Sequence, residues 1–107
     1  MPCLLNLFNL KPSVDRAEFE RAWQAFGEYL ESADLAAECG AVKDRVPTSG
    51  YDTDTERAHI LMAVITFRDQ AQADAAWAAI EANAPPLAPL HRAVFARVHD
   101  PVFTFWQ

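Results

Sequence analysis

The chain begins with an apolar run that is followed by an amphipathic segment. Residues 3–10 (CLLNLFNL) are apolar on both faces and end at Lys11-Pro12, which predicts a central β-strand. Asp15 then suits the N-cap of a helix. The apolar side chains of that helix recur at steps of three and four and so share one face: Phe19, Ala22, Trp23, Phe26, Leu30 and Ala33. Gly27 interrupts the helix, which favours close packing of another element there.

The middle of the chain carries two further strand-like segments with a polar stretch between them. Residues 36–46 predict a weaker strand that becomes charged towards its end. Residues 47–56 collect Pro, Ser, Thr, Gly and Asp around one aromatic residue, a composition typical of a mobile loop. Residues 57–67 (RAHILMAVITF) predict the strongest strand of the chain, and this strand is again apolar on both faces.

The last part of the chain predicts a long helix, a short helix and a final strand. The long helix runs from about Asp69 to Asn83 and ends before a group of three prolines. Residues 88–98 place apolar side chains four residues apart, which predicts a short helical piece. Asp100-Pro101 then turns the chain into a strand over residues 102–106.

This order of elements predicts an α+β fold in one domain, residues 1–107. The order is that of a ferredoxin-like βαββαβ sandwich with an extra short helix before the last strand, built on a four-stranded antiparallel sheet. Helices would cover one face of that sheet. Because the first and third strands are apolar on both faces, the other face also needs a cover, and an identical sheet supplies one. We therefore expect a homodimer that packs sheet against sheet.

Composition excludes several classes of partner. Hydrophobic residues make up 51% and charged residues 22%, as in an ordinary globular domain, and the net charge is −6. That acidic balance opposes binding to nucleic acid or to an anionic membrane surface. Cys3 and Cys39 lie far apart, and we see no export signal, so we expect reduced thiols and a cytoplasmic location. The three histidines lack metal-binding spacing, so we expect no metal site.

The chain also resembles a known superfamily. The order of elements, the short length, the doubly apolar strands and the proline-bounded helix before the last strand resemble the dimeric α/β-barrel superfamily. Within it, residues 57–77 (RAHILMAVITFRDQAQADAAW) are similar to small bacterial proteins of unknown function. The superfamily contains antibiotic-biosynthesis monooxygenases, haem-degrading enzymes, stress-responsive barrel proteins and members without an assigned role. The resemblance therefore implies a fold and a dimer, and leaves the activity open.

One candidate catalytic group follows from this resemblance. Some oxygenases of the superfamily combine an Asn on the first strand, a Trp on the second long helix and a downstream His, which correspond here to Asn6, Trp77 and His91. Independently of the resemblance, the carboxamide of Asn6 lies within an apolar strand and must find hydrogen bonds. It either bonds to neighbouring backbone or a buried water, or points into a cavity between sheet and helices.

Four other residues are candidates for binding a ligand. Arg45 and Arg57 flank the 47–56 loop, which contains Tyr51. If that loop folded over a cavity, the two guanidinium groups could orient a carboxylate on a ligand. Ion pairing with Asp44 or Glu56 is the structural alternative. His59 stands close to the same loop, either as a polar strand end or as a residue lining the rim of the cavity.

These observations leave three functional hypotheses. The first is a homodimer that binds a small apolar or aromatic molecule without a cofactor. The second is a small cofactor-independent or haem-degrading monooxygenase, and haem enters only in this alternative. The third is a regulatory or structural dimer that recognises a protein partner. The chain contains no glycine-rich phosphate loop and no GxSxG turn for a nucleophilic serine, so the sequence offers no motif for those reactions.

Overall fold

One antiparallel sheet and three helices make up the fold in the computed structural model, which describes residues 1–107. The elements in chain order are β1 (Cys3–Leu10), α1 (Arg16–Ser32), β2 (Glu38–Cys39), β3 (Lys43–Asp44), β4 (Leu61–Thr66), α2 (Gln70–Ala82), α3 (Leu87–Phe95) and β5 (Val98–Trp106). Within the sheet the strand order is β2–β4–β1–β5, and β3 also pairs with β4. All pairings are antiparallel. This is the predicted ferredoxin-like α+β arrangement, with the extra helix α3 before the last strand.

The predicted second strand is interrupted, so the sheet has five strands where the sequence predicted four. Instead of one strand over residues 36–46, two short strands pair with the same edge of β4. Cys39 lies opposite Ile65, whereas Lys43 lies opposite Met62. Four steps along the edge strand therefore match three steps along β4, and one extra residue bulges out of the ladder.

A tryptophan from α1 holds this bulge against the sheet. The indole Nε1–H of Trp23 donates a hydrogen bond to the backbone oxygen of Gly40 at 2.9 Å. The N–H of Gly40 donates in turn to the backbone oxygen of Val64 at 2.9 Å. The pattern of apolar residues could not predict this interruption, because the bulge depends on a side chain from another element.

Two other boundaries differ from those predicted. β4 begins at Leu61, four residues later than predicted, because residues 57–60 lie outside the ladder of paired strands. The N–H of Ile60 instead donates to the side-chain oxygen of Asn9 at 2.9 Å. β5 begins four residues earlier than predicted, because Val98 pairs with Leu10 of β1. The short helix is therefore shorter than residues 88–98. In both cases cross-strand pairing decides where the element starts.

The helices and one face of the sheet enclose the core. Side chains alternate along β4 between buried and half-buried, and the buried ones face the helices. Asp15 caps α1 as predicted, accepting a hydrogen bond from Glu18 N–H. The α1 residues of the predicted stripe that are buried are Phe19, Trp23, Phe26 and Leu30. Ala33, which the spacing placed on the same stripe, is instead the exposed C-cap.

The opposite face of the sheet carries apolar side chains that no helix covers. Its members alternate with the core residues along β1, β4 and β5 and are exposed or half-buried: Leu5, Leu7, Met62, Val64, Val102 and Trp106. Trp106 is 59% exposed. We call these six residues the open sheet face. None of the three helices is both long and apolar enough to cross a membrane.

Gly27 is the residue of α1 that lies directly against Cys39 of β2. A methyl group at Gly27 would lie 2.8 Å from Cβ of Cys39, closer than two carbon atoms pack. We predict that Gly27→Ala lowers the free energy of unfolding by about 1 to 2 kcal/mol, because overpacking outweighs the gain in helix propensity. Urea denaturation measures the change, and Glu28→Ala on the exposed side of α1 is the control. A Gly27→Ala protein as stable as the parent would contradict this packing.

Candidate functional site

An apolar cavity of about 310 Å³ lies between the sheet and the helices. Side chains from β1, β4, β5 and all three helices contribute to its wall, and ten of its twelve lining residues are hydrophobic. Asn6 and His91 are the two polar residues of the wall, and Trp77 is among its aromatic residues. The structure therefore brings together the three side chains that the resemblance suggested, although they come from β1, α2 and α3. Their catalytic role stays a prediction.

Asn6 is buried at the middle of β1, with 2% of its surface exposed. Its side-chain nitrogen donates two hydrogen bonds of 3.2 Å, to the backbone oxygens of Leu4 and Ala63. Its side-chain oxygen Oδ1 is also buried and has no hydrogen-bond partner. The bonding to neighbouring backbone considered from the sequence is therefore present, and Asn6 also contributes to the cavity wall.

His91 reaches the cavity from α3 and packs between aromatic rings. Its ring centroid lies 5.9 Å from that of Phe26 and 4.8 Å from that of Phe95. This burial lowers the pKa of His91 below the ordinary value for histidine. His91 is therefore mainly neutral at physiological pH, and a neutral imidazole can accept a proton or a hydrogen bond.

Trp77 forms another part of the cavity wall, from α2. Its ring meets the edges of two phenylalanines, with centroid separations of 5.4 Å to Phe67 and 5.8 Å to Phe105. Such edge-to-face contacts favour this position of the ring. Trp77 lies both in the packing around the core and at the cavity.

The four candidate ligand-binding residues lie away from this cavity. Arg45, Arg57 and His59 line a separate groove of about 360 Å³ beside β3 and β4. Tyr51 lines neither space and is 96% exposed. Residues of the 47–56 loop contribute nothing to the wall of the apolar cavity, so the loop does not cover it.

Arg45 holds the 47–56 loop to the sheet. Its guanidinium group forms a two-point contact with the carboxylate of Asp52, in which Nε lies 2.5 Å from Oδ2 and Nη2 lies 2.7 Å from Oδ1. It also donates to the backbone oxygens of Asp54, Arg57 and His59. These contacts occupy all five N–H donors of an arginine. A ligand-orienting role for Arg45 stays a prediction, and the geometry leaves no free donor for it.

The other members of the groove also have partners within the chain. Arg57 Nη1 donates to Asp54 at 2.7 Å, and this bond holds the pKa of the Asp54 carboxyl well below its usual range. His59 is 8% exposed, with Nε2 at 2.8 Å from the backbone oxygen of Asp100. Its other nitrogen, Nδ1, is buried without a partner. The ion pairing considered as the structural alternative is therefore present, with Asp52 and Asp54 as the acids.

A larger cleft of about 480 Å³ between α1 and the β2–β3 edge offers less chemistry. Acidic side chains of α1 line one side of it, and Cys39 lies at its floor. Burial raises the pKa of the Cys39 thiol to about 12, and the neighbouring charges of Glu31 and Glu38 act in the same direction. The thiol is therefore protonated at physiological pH and is a poor nucleophile.

Sequence reasoning missed two sets of residues. It did not place the aromatic residues Phe95 and Phe103 at the cavity, although Phe103 alternates with Val102 on β5 and so had to face the helices. It also named Asp44 and Glu56, rather than Asp52 and Asp54, as the acids near the two arginines. No sequence signal distinguishes these acids, because the fold of the loop decides which of them reaches Arg45.

The cavity does not fit a haem group. A haem carries two propionate groups that need cationic or polar partners when they are buried, and no Lys or Arg lines this cavity. His91 alone could ligate the iron. Elsewhere, no three His, Cys, Asp or Glu side chains come together in a way that could hold a metal ion.

Comparison with solved structures identifies the fold class. A crystal structure of an Arabidopsis thaliana protein matches with a TM-score of 0.76 at 8% identity, covering 100% of this chain and 94% of that one. A dimeric ferredoxin-like protein of unknown function from Jannaschia sp. CCS1 matches with a TM-score of 0.67 at 14% identity, covering 99% and 97%. The hydroxynitrile lyase of Passiflora edulis matches with a TM-score of 0.57 at 13% identity, covering 98% and 90%.

These similarities show that the chain has a ferredoxin-like α+β fold, as the order of its elements predicted. At such low identities they show the fold and do not assign an activity. No protein-family model and no curated protein sequence matches the chain.

The burial of His91 leads to a prediction about pH. We expect the imidazole of His91 to titrate below the value of about 6.5 found for an unperturbed histidine. Near and below pH 6.5 the folded state then binds fewer protons than the unfolded state. The contribution of His91 to the free energy of unfolding is therefore complete above the pKa of the unfolded state, about 6.5, and falls as the pH drops through that pKa. An NMR titration of the His91 ring measures the pKa, with the urea-unfolded protein as reference. Equal values in the two states would contradict the burial of the ring.

Proposed function

We propose that this protein is a homodimer, packed sheet against sheet, in which each subunit binds a small apolar or aromatic molecule in the cavity between its sheet and helices. The observation that carries the proposal is the cavity itself. Its volume of about 310 Å³ and its ten hydrophobic lining residues match the general character of small-molecule sites, which are concave and mostly apolar with a few polar groups.

The open sheet face supports the dimer. Leu5 and Val64 lie opposite each other near its centre, on neighbouring strands. An apolar surface of this kind is unfavourable in water, and a second copy presents a surface of the same chemistry and curvature. The comparison protein from Jannaschia sp. CCS1 is described as dimeric, and its fold is similar over almost the whole chain.

Native mass spectrometry of protein purified without added ligand tests both parts of the proposal. We expect a species at twice 11.9 kDa, with additional mass where a ligand from the host is retained. Val64→Glu on the open sheet face should give a monomer, because a dimer would bury two carboxylates without partners. The control is Ala25→Glu, which adds the same charge on the exposed side of α1. A parent protein that is monomeric at micromolar concentration would contradict the dimer.

A cofactor-independent oxygenase is the second candidate function. One observation favours it: Asn6, Trp77 and His91 line the same cavity, and the burial of His91 favours the neutral form that can act as a base. The Passiflora edulis hydroxynitrile lyase is an enzyme with a similar fold, so the fold is compatible with catalysis. The protein-partner hypothesis stays a prediction, and no feature of the structure favours it.

Oxygen consumption with electron-rich phenols as substrates tests the oxygenase candidate. We expect His91→Ala to lose consumption, since it removes the base, and Asn6→Ala to reduce it at least about tenfold through loss of a polar contact. Circular dichroism of each variant shows whether the fold is kept. Consumption equal to that of the parent in both folded variants would exclude the group from catalysis.

A further inference from the structure

Two side chains of the cavity wall are polar, and only one of them has atoms that a bound molecule can reach. We propose that the cavity selects an uncharged aromatic molecule that carries a hydrogen-bond donor, and that a ring nitrogen of His91 accepts this hydrogen bond. This inference rests on the proposed function, because it names the class of molecule that the same cavity would bind.

Asn6 is closed to a ligand. Its side-chain nitrogen donates both of its hydrogens to backbone oxygens, those of Leu4 and Ala63. Its oxygen Oδ1 is buried too deeply for solvent to touch it. The carboxamide of Asn6 therefore offers no hydrogen bond to a molecule in the cavity, although the residue contributes to the wall.

His91 differs from Asn6 because its ring nitrogens are both unpaired and accessible. Neither nitrogen forms a hydrogen bond within the chain, and burial alone shifts the pKa of this ring. The buried side-chain polar atoms without a partner are Oδ1 of Asn6 and Nδ1 of His59, so the nitrogens of His91 keep accessible surface. The rings that pack against His91 are those of Phe26 and Phe95, which offer no conventional hydrogen-bonding atoms. A molecule in the cavity can therefore bond to His91 without displacing an internal partner.

The neutral state of His91 determines which kind of polar group it binds. Because burial lowers its pKa, the imidazole is mainly neutral at physiological pH. A neutral imidazole has one N–H donor and one nitrogen with a free lone pair. That nitrogen is basic enough to bind a proton near neutral pH, so it accepts a hydrogen bond readily from a hydroxyl group or a ring N–H.

The rest of the wall excludes charged ligands. None of the lining residues is Lys, Arg, Asp or Glu, so a carboxylate or an ammonium group would enter without a counter-charge. Burying an unpaired ion costs far more than burying a neutral group that forms a hydrogen bond. The ligand therefore carries its hydrogen-bond donor on an uncharged group.

The aromatic residues and the volume favour a single substituted ring. Trp77 and Phe67 contribute to the wall from one cluster of rings, and His91 and Phe26 contribute from another. A ring of the ligand can make edge-to-face contacts with both clusters. An apolar cavity of about 150 Å³ is enough to bind benzene, so the 310 Å³ here holds a ring with one or two short substituents.

Two probes of the same shape, 4-methylphenol and p-xylene, test the hydrogen bond in the parent protein and in His91→Phe. NMR titration of the isotope-labelled protein gives each dissociation constant, and the indole N–H signal of Trp77 reports occupancy of the cavity. We expect the affinity for 4-methylphenol relative to that for p-xylene to fall at least about tenfold in His91→Phe, because the acceptor is removed. Binding of p-xylene to the variant shows that the cavity persists. An unchanged ratio would overturn the proposal.

His99→Phe is the matched control, because it makes the same substitution at an exposed histidine outside the cavity wall. It should leave the ratio of the two affinities as it is in the parent protein. A ratio that falls equally in both variants would show that the loss does not arise at His91, and would contradict the proposal.

A third probe, 4-methylanisole, tests the direction of the hydrogen bond. Its oxygen can accept a hydrogen bond but cannot donate one. We expect its affinity relative to that of p-xylene to be the same in the parent protein and in His91→Phe. A fall as large as that for 4-methylphenol would show that His91 donates, and the assignment of a ligand donor would be wrong.

The ring nitrogens of the parent protein give an independent measurement if His91→Phe does not fold. A hydrogen bond changes the nitrogen-15 chemical shift of the nitrogen that accepts it. We expect 4-methylphenol to shift one His91 ring nitrogen several times more than p-xylene does. Equal shifts from the two probes would contradict the hydrogen bond.

The outcomes separate this inference from the proposed function. If p-xylene binds and the ratio of affinities does not depend on His91, the inference is wrong and the apolar binding site stands. If neither probe binds the parent protein, the proposed binding function fails and the inference fails with it.

Discussion

The central strand β1 is apolar on both faces of the sheet, and the rest of the structure depends on how each face is covered. Helices α1, α2 and α3 cover the face that carries Phe8, while no helix covers the face that carries Leu5 and Leu7. Burial of apolar surface is the main favourable term in folding, and it acts equally on both faces. The first face therefore forms the core, and the second is the surface through which we propose that two copies associate.

The space between the helices and the first face of the sheet is not filled completely. Large rings from α1, α2, α3 and β5 meet edge to face rather than stacking, and their packing leaves the cavity of about 310 Å³. Asn6 lies in the strand beneath it, where its amide nitrogen is held by two backbone oxygens and its oxygen is left free.

The charged groups of the molecule act mainly on structure. Arg45 donates hydrogen bonds to Asp52 and to three backbone oxygens. These bonds hold the 47–56 loop beside the β3 edge of the sheet, away from the cavity. The carboxylates of α1 lie along a different cleft, next to a thiol that burial keeps protonated. Charge and cavity are therefore separated in this fold.

The sequence by itself determined the order of the elements, the cap of α1 at Asp15 and the two apolar faces of the sheet. These features depend on local spacing, which is readable along one strand or helix. Only the tertiary structure decided the bulge between β2 and β3, the partners of Arg45 and the free oxygen of Asn6. Each of these depends on contacts between residues that are far apart in the sequence. The spacing of residues within one strand, helix or loop does not indicate which residue of another segment will lie next to it.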